Sequence, residues 1–180
     1  MMNRKNMIGK LLLNTPRLII SQLDRNCLGD EKYYVNDVVK LFNPKVLHFL
    51  PDEWKNIKTK KQVVDWLKVQ SDEGDVCFIK LKKEQKIVGL LFLYGNKENE
   101  LTLNIGYLLN EQYWGKGYAS ELLTHLIEYL RKEKRIKRLI AGVEIENKSS
   151  IRLLTKCGFI QNHVVNHVAC ESIYYELELS

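Results

Sequence analysis

The chain is short of the residues that define the specialised protein classes. It has three prolines and ten glycines in 180 residues, too few for collagen-like, proline-rich or low-complexity architecture. Its four cysteines, Cys27, Cys77, Cys157 and Cys170, are scattered and form no C-x-x-C pair. That spacing builds neither a zinc ribbon nor a dithiol redox motif, so the thiols read as reduced and at least partly buried. No apolar run approaches the length of a membrane span. The N-terminal apolar stretch Leu11-Leu12-Leu13 is short, follows Lys10 and has no small-residue cleavage site after it, so it is not read as a signal peptide. The expectation is a cytoplasmic protein without a membrane segment, a monomer or homodimer. Acidic residues are outnumbered, 22 against 28 Lys and Arg, which gives a net charge of +6. An excess of that size serves solubility and does not by itself imply a polyanionic partner.

What is present suits one globular domain: 45% hydrophobic and 28% charged residues, with enough chain for a sizeable core. Residues 1–14 read as a loose leader and 15–180 as one domain. A strand is expected at 17–23, behind Pro16. A helix follows from Asp30 to about Phe42, then an irregular stretch at 43–57. Thr59 caps a second helix that stops at Gly74. Strands at 76–81, 87–94 and 101–109 precede a long amphipathic helix at 116–134. A strand at 139–146 and a short helix from Asn147 or Ser149 to Gly158 come next. The strands 159–165 and 173–179 form a final hairpin. This order, β-α-α-β-β-β-α-β-α-β-β, predicts an α/β fold with a central mixed sheet. Its strand-helix-strand unit at 101–146 should make two parallel neighbours.

The stretch between the third of those strands and the long helix carries the chemistry. It reads Gln112-Tyr113-Trp114-Gly115-Lys116-Gly117-Tyr118-Ala119. A strand, a glycine turn and a helix start present backbone N–H groups that can hold an anion, typically a phosphate. Gly115 and Gly117 let the main chain approach a ligand without a Cβ, and Lys116 adds a positive charge. Many such turns use glycine for geometry alone, so the turn acquires meaning only with the rest of the chain.

The order of elements resembles that of the GNAT N-acetyltransferases, which move an acetyl group from acetyl-CoA to an amine. The motif Gln112-x-x-Gly115-x-Gly117-Tyr118-Ala119 is similar to that family's pyrophosphate loop. Asn147-x-x-Ser150-Ile151-Arg152-Leu153-Leu154-x-Lys156-Cys157-Gly158-Phe159 is similar to its segment after the fifth strand. Thr15-Pro16-Arg17-Leu18 and Ile105-Gly106-Tyr107-Leu108-Leu109 look like features of the RimJ/RimL-type subgroup, the ribosomal-protein-alanine N-acetyltransferase-like enzymes. The resemblance implies acetyl-CoA as co-substrate and no metal. It places the pyrophosphate on residues Gln112 and Trp114 to Ala119. The pantetheine arm would lie along the backbone of Tyr107, Leu108 and Leu109, with Asn147 and Ser150 on the far side. Gly106 is a candidate bulge that would open the gap. Asn147 is also a plain helix cap, and Ser150 is also a solvent-facing residue of a first turn.

For catalysis, the family's usual tyrosine acid falls at Leu154 and its usual carboxylate at Asn104, so neither group is available. Ser150 is the substitute donor for the thiolate, and Glu144 the best carboxylate base, with a solvated strand residue as its alternative reading. The backbone N–H of Tyr107 or Leu108 would face the carbonyl oxygen. Trp54, His163 and His167 are candidate acceptor-site residues. The spacing His163-x-x-x-His167-x-x-Cys170 lacks a fourth ligand and has the wrong parity for a metal site. Glu171, Glu176 and Glu178 are candidates for an acidic groove. The resemblance implies an amine acceptor, either a protein N-terminus such as that of a ribosomal protein or a small molecule. The basic run Arg131 to Arg138 reads as a solvated face, with RNA or ribosome contact as the other possibility. A CoA-binding sensor without turnover is the competing class.

Overall fold

Near-continuous apolar runs in the middle of the chain build a sheet buried on both faces. In the computed structural model, which describes residues 10–24, 26, 28, 34–96, 99–166 and 171–179 (backbone alone for 163–166 and 171), eight strands form one sheet. They are β1 Leu12–Asn14, β2 Leu18–Gln22, β3 Asp75–Leu81, β4 Ile87–Gly95, β5 Thr102–Leu109, β6 Arg138–Glu144, β7 Ile160–Asn166 and β8 Glu171–Glu178. Their spatial order is β1-β2-β3-β4-β5-β6-β8-β7. Every neighbouring pair is antiparallel except β5 and β6, which are parallel as the strand-helix-strand unit requires.

The helices are α1 Val35–Val39, α2 Pro44–Leu47, α3 Lys60–Glu73, α4 Tyr118–Glu133 and α5 Lys148–Lys156. They divide the core in two. Leu122, Leu123, Leu126, Ile127 and Leu130 of α4 pack with Leu103, Ile105, Leu139, Ala141 and Val143 on one face of the sheet, together with Leu154 of α5. Val35 and Val38 of α1 pack with Val63, Trp66 and Leu67 of α3, and with Phe92 and Leu108, on the other. Two apolar faces on one sheet, each covered by helices, is the layered solution expected of an α/β chain.

Local chemistry accounts for several boundaries. Thr59 and Gln62 form a full capping box at the start of α3. Gly74 ends α3 in extended backbone, and the position suits glycine because a Cβ there would lie 2.6 Å from the Leu93 carbonyl oxygen. Three expectations are corrected. Leu12–Asn14 are not leader but an edge strand on β2, with Leu11 and Leu13 in the core. The stretch expected to be irregular holds α2, capped by the Asn43 side chain and started by Pro44, and a 3-10 turn at Asp52–Trp54. The first helix begins at Val35 with no side-chain cap, and Asp30 lies outside the described residues. Among the described residues no helix is long and apolar enough to cross a membrane.

Candidate active site

The site begins where β5 and β6 separate. Their parallel pairing runs from Thr102 and Arg138 to Ile105 and Ala141 and stops there, although β5 continues to Leu109 and β6 to Glu144. The expected bulge at Gly106 is absent: Gly106 stays in register with Phe92 of β4. The gap opens because β6 leaves β5. It is kept company on its far side by β8, which pairs with β6 throughout. The result is a cleft of about 1000 Å³, lined by Tyr107 and Leu108 on one wall and by Val143, Glu144, Asn147 and Ser150 on the other.

Ladder geometry decides which backbone groups face the cleft. The Asn110 N–H donates to the Val88 carbonyl at 2.8 Å. Alternation along an antiparallel pair then turns Leu108 and Gly106 toward β4, and Tyr107 and Leu109 toward the gap. The Leu109 carbonyl accepts a hydrogen bond from the Trp114 indole at 2.7 Å, which ties the loop back to the strand end. That bond occupies one of the carbonyl's two lone pairs.

The glycine turn follows β5 after a 3-10 turn at Glu111–Tyr113 and is exposed from Trp114 to Gly117. Gly115 and Gly117 have φ of +70° and +78°, left-handed values that a side chain would strain. Gly117 is the N-cap of α4, and no side chain caps that helix. Its first N–H groups therefore point into solvent beside Lys116. Tyr118 and Ala119 are half-buried, and Gln112 is exposed with its N–H held by the Asn110 side chain at 3.1 Å.

Sequence reasoning missed the brace behind this turn. The Arg17 guanidinium donates to the Lys116 carbonyl at 2.9 Å, stacks 4.3 Å from the Tyr118 ring and pairs with Glu121 at 2.6 Å. Glu121 also accepts from the Arg17 amide at 2.7 Å and from the Thr15 hydroxyl. Burial pushes the Glu121 carboxyl up, but the Thr15 and Arg17 hydrogen bonds and the Arg17 charge together outweigh that and hold it below its ordinary value. A depressed carboxylate pKa contributes stability above the unfolded value and loses it as pH falls through the folded one. Glu121→Gln should therefore flatten the acid side of the curve of melting temperature against pH; parallel curves for the two proteins would remove this role.

At the far wall, the Asn147 side chain accepts from the Ser150 N–H at 3.1 Å, so the capping role is realised. Glu144 is half-buried. Leu139, Ala141 and Val143 belong to the α4 face of the sheet, so alternation puts Glu144 on the opposite, α3 face. Trp54 stands across the cleft on that face, edge-on to Trp66 at 4.9 Å and tilted on Phe92 at 5.2 Å. Trp66 is buried behind it. Asp52, Glu53, Lys55 and Glu146 complete this end, and His48 Nε2 lies 3.8 Å from the Glu146 carboxylate.

A sequence model described as acetyltransferase (GNAT) domain matches residues 17–160. The chain belongs to the GNAT acetyltransferase family. It is 28% identical to an uncharacterized N-acetyltransferase, YnaD, of Bacillus subtilis, over 81% of each chain. RimL, a ribosomal L7/L12 alpha-N-protein acetyltransferase solved with coenzyme A, superimposes with a TM-score of 0.76 at 14% identity, covering 93% of this chain and 98% of that one. The microcin C7 self-immunity acetyltransferase MccE, solved with acetyl-CoA and AMP, gives 0.71 at 20% identity, covering 91% and 93%. The protein is thus an acetyl-CoA-dependent acetyltransferase with a mixed α/β GNAT fold.

Within this GNAT frame the structure gathers Tyr107, Glu144, Asn147, Ser150 and Trp54 around one cleft. Leu108 also lines it, but as part of the α3-side core. Leu154 occupies the cleft floor with no polar group to offer. Of the expected acidic groove, Glu176 and Glu178 instead point at Arg138, at 3.9 and 2.6 Å, at the other end of β6, and the Glu171 side chain lies outside the described residues. Those contacts also engage one cation of the basic run. His163 pairs with Tyr174 along β7, and His167, like Cys170, lies outside the described residues. Among the described residues no group of three His, Cys, Asp or Glu could hold a metal.

Proposed function

We propose that acetyl-CoA lies with its pyrophosphate on the turn at 115–119 and its pantetheine arm along Tyr107 and Leu109. An amine entering past Trp54 then attacks the thioester directly. The observation that carries this reading is the parting of β5 and β6, since it opens a cleft whose β5 wall leads, through one 3-10 turn, to the glycine turn. Coenzyme A carries a pyrophosphate, which free helix N–H groups suit, and an extended arm that an unpaired strand edge suits.

The acceptor must be neutral to attack, yet a lysine amine has a pKa of about 10.4 and an α-amino group about 8. Glu144 takes the proton, directly or through water, on the acceptor face. The Tyr107 N–H faces the oxygen of the tetrahedral adduct, and Ser150 stands on the donor side. Asp52, Glu53, Glu144 and Glu146 outnumber Lys55 around the acceptor end, which favours a cationic amine before it is deprotonated. A protein N-terminus, as in the RimL reaction on a ribosomal protein, fits that charge; a small amine fits it as well. Reduced thiols such as Cys77 and Cys157 suit a cytoplasmic enzyme.

The test is thiol release from acetyl-CoA over a panel of N-terminal peptides and small amines, joined to mass spectrometry of cells with and without the gene. Lost acetylation of defined N-termini, reproduced on the matching peptide, identifies the acceptor. Release that is independent of every amine, with no acetylation lost, would favour a sensor without turnover.

A further inference from the structure

We infer that the hydroxyl of Tyr107 donates a hydrogen bond to the sulfur of coenzyme A as the thiolate leaves, taking the place that Leu154 cannot fill. The inference rests on the acetyl-CoA reading of the cleft and adds a side-chain role to a residue otherwise used through its backbone.

The starting observation is an orphan. The Tyr107 hydroxyl oxygen is buried and has no hydrogen-bond partner among the described residues. Such a group is costly to leave unmade and is rare in folded proteins. Tyr107 lines the cleft where β5 and β6 have parted. Its unpaired hydroxyl therefore lies within the β5 wall of the cleft, beside Ser150. The Ser150 hydroxyl lies close by without reaching good hydrogen-bond geometry, and eases the phenolate only in part.

The two sheet faces divide the work. Tyr107 packs with the α4 and α5 side of the sheet, whereas Glu144 is on the α3 side, with Trp54. A proton leaves the amine on the Glu144 face while charge develops on sulfur toward the Tyr107 face. In the step itself the amine nitrogen bonds to the acetyl carbon, and the carbon–sulfur bond breaks with its electron pair going to sulfur. The amine's proton passes to Glu144 and on to water.

Tyr107 does not supply the thiol's proton. Burial pushes its phenol up to about 12, with the nearby Ser150 hydroxyl acting against that and Cys157 adding to it. A phenol that weak keeps its proton beside a thiolate of ordinary pKa about 8.5. It donates a charge-assisted hydrogen bond, and the thiolate is protonated from solvent afterwards. The hydroxyl is therefore in its donating form across the working pH range.

The bound thiol reports this without any knowledge of the acceptor. Its pKa is read from thiolate absorbance, as the difference between the CoA and desulfo-CoA complexes of the same protein. In Tyr107→Phe the bound thiol's pKa should rise by about one to two pH units, the worth of one hydrogen bond to a charged group. Calorimetric affinity for desulfo-CoA should stay at the wild-type value, and the melting temperature should not fall, since the lost oxygen has no protein partner. Site-specific 3,5-difluorotyrosine at position 107 should move the thiol pKa the other way. An unchanged thiol pKa overturns the inference. So does an equal loss of affinity for CoA and desulfo-CoA, which would mean that the hydroxyl binds the arm and not the sulfur. Failure of the wild-type protein to bind desulfo-CoA at all would instead overturn the acetyl-CoA placement beneath it, and the inference with it.

Discussion

Gly117→Val should lower the affinity for CoA by about a hundredfold or more while leaving a folded protein. Gly117 has a φ of +78°, and a Cβ there would lie 3.4 Å from the Arg17 guanidinium. A β-branched residue in that conformation carries strain of about 1–3 kcal/mol. The turn relieves it by moving, and the N–H groups that begin α4 move with it. Two charge-assisted hydrogen bonds to a pyrophosphate, at about 1.5–3 kcal/mol each, would set a loss of that size. The fold survives because Gly117 is exposed and α4 is held by its apolar stripe rather than by its cap. Calorimetry with CoA, beside a circular-dichroism melt, checks both halves. Wild-type affinity would mean that the phosphates lie elsewhere.

Glu144→Gln should slow acetyl transfer by about a hundredfold, a typical share for a general base. The amide keeps the shape of the side chain and its place on β6 but accepts no proton. The deficit should be largest below the acceptor's own pKa, where the amine arrives charged, and should shrink above it. The KM for acetyl-CoA should stay put, because Glu144 is on the acceptor face of the sheet. A pH–rate profile that matches wild type would show that water alone removes the proton.

The contrast between what local sequence reveals and what it hides is physical. The glycine turn was legible because its requirements are local: two left-handed residues, a cation and a helix start within a few positions. The α3 capping box was legible for the same reason, since Thr59 and Gln62 are one turn apart. The parallel pairing of β5 and β6 followed from handedness and connection length. The Arg17 and Glu121 brace was not legible, because 104 residues separate its partners and no periodicity links them. The orphaned Tyr107 hydroxyl was equally invisible, since an unmade hydrogen bond depends on everything around it. The short helix α2 did leave a signal, Asn43 as cap and Pro44 at the first turn, but two prolines nearby made the stretch look irregular. The expected Gly106 bulge failed because a strand can part from one neighbour while keeping register with the other.

The strand order has a consequence for how the enzyme comes into being. β8 pairs with β6 along its whole length, from Arg138 to Glu144, yet it is made some 27 residues later in the chain. During synthesis β6 emerges with β5 on one side for only its first four residues and with nothing on the other. The strand that carries Glu144 and the wall of the cleft therefore stays an open edge until β8 has left the ribosome and slotted in beside it. A partly made chain can fold its glycine turn while the β6 wall of its cleft still lacks the neighbour that pairs with it from Arg138 to Glu144.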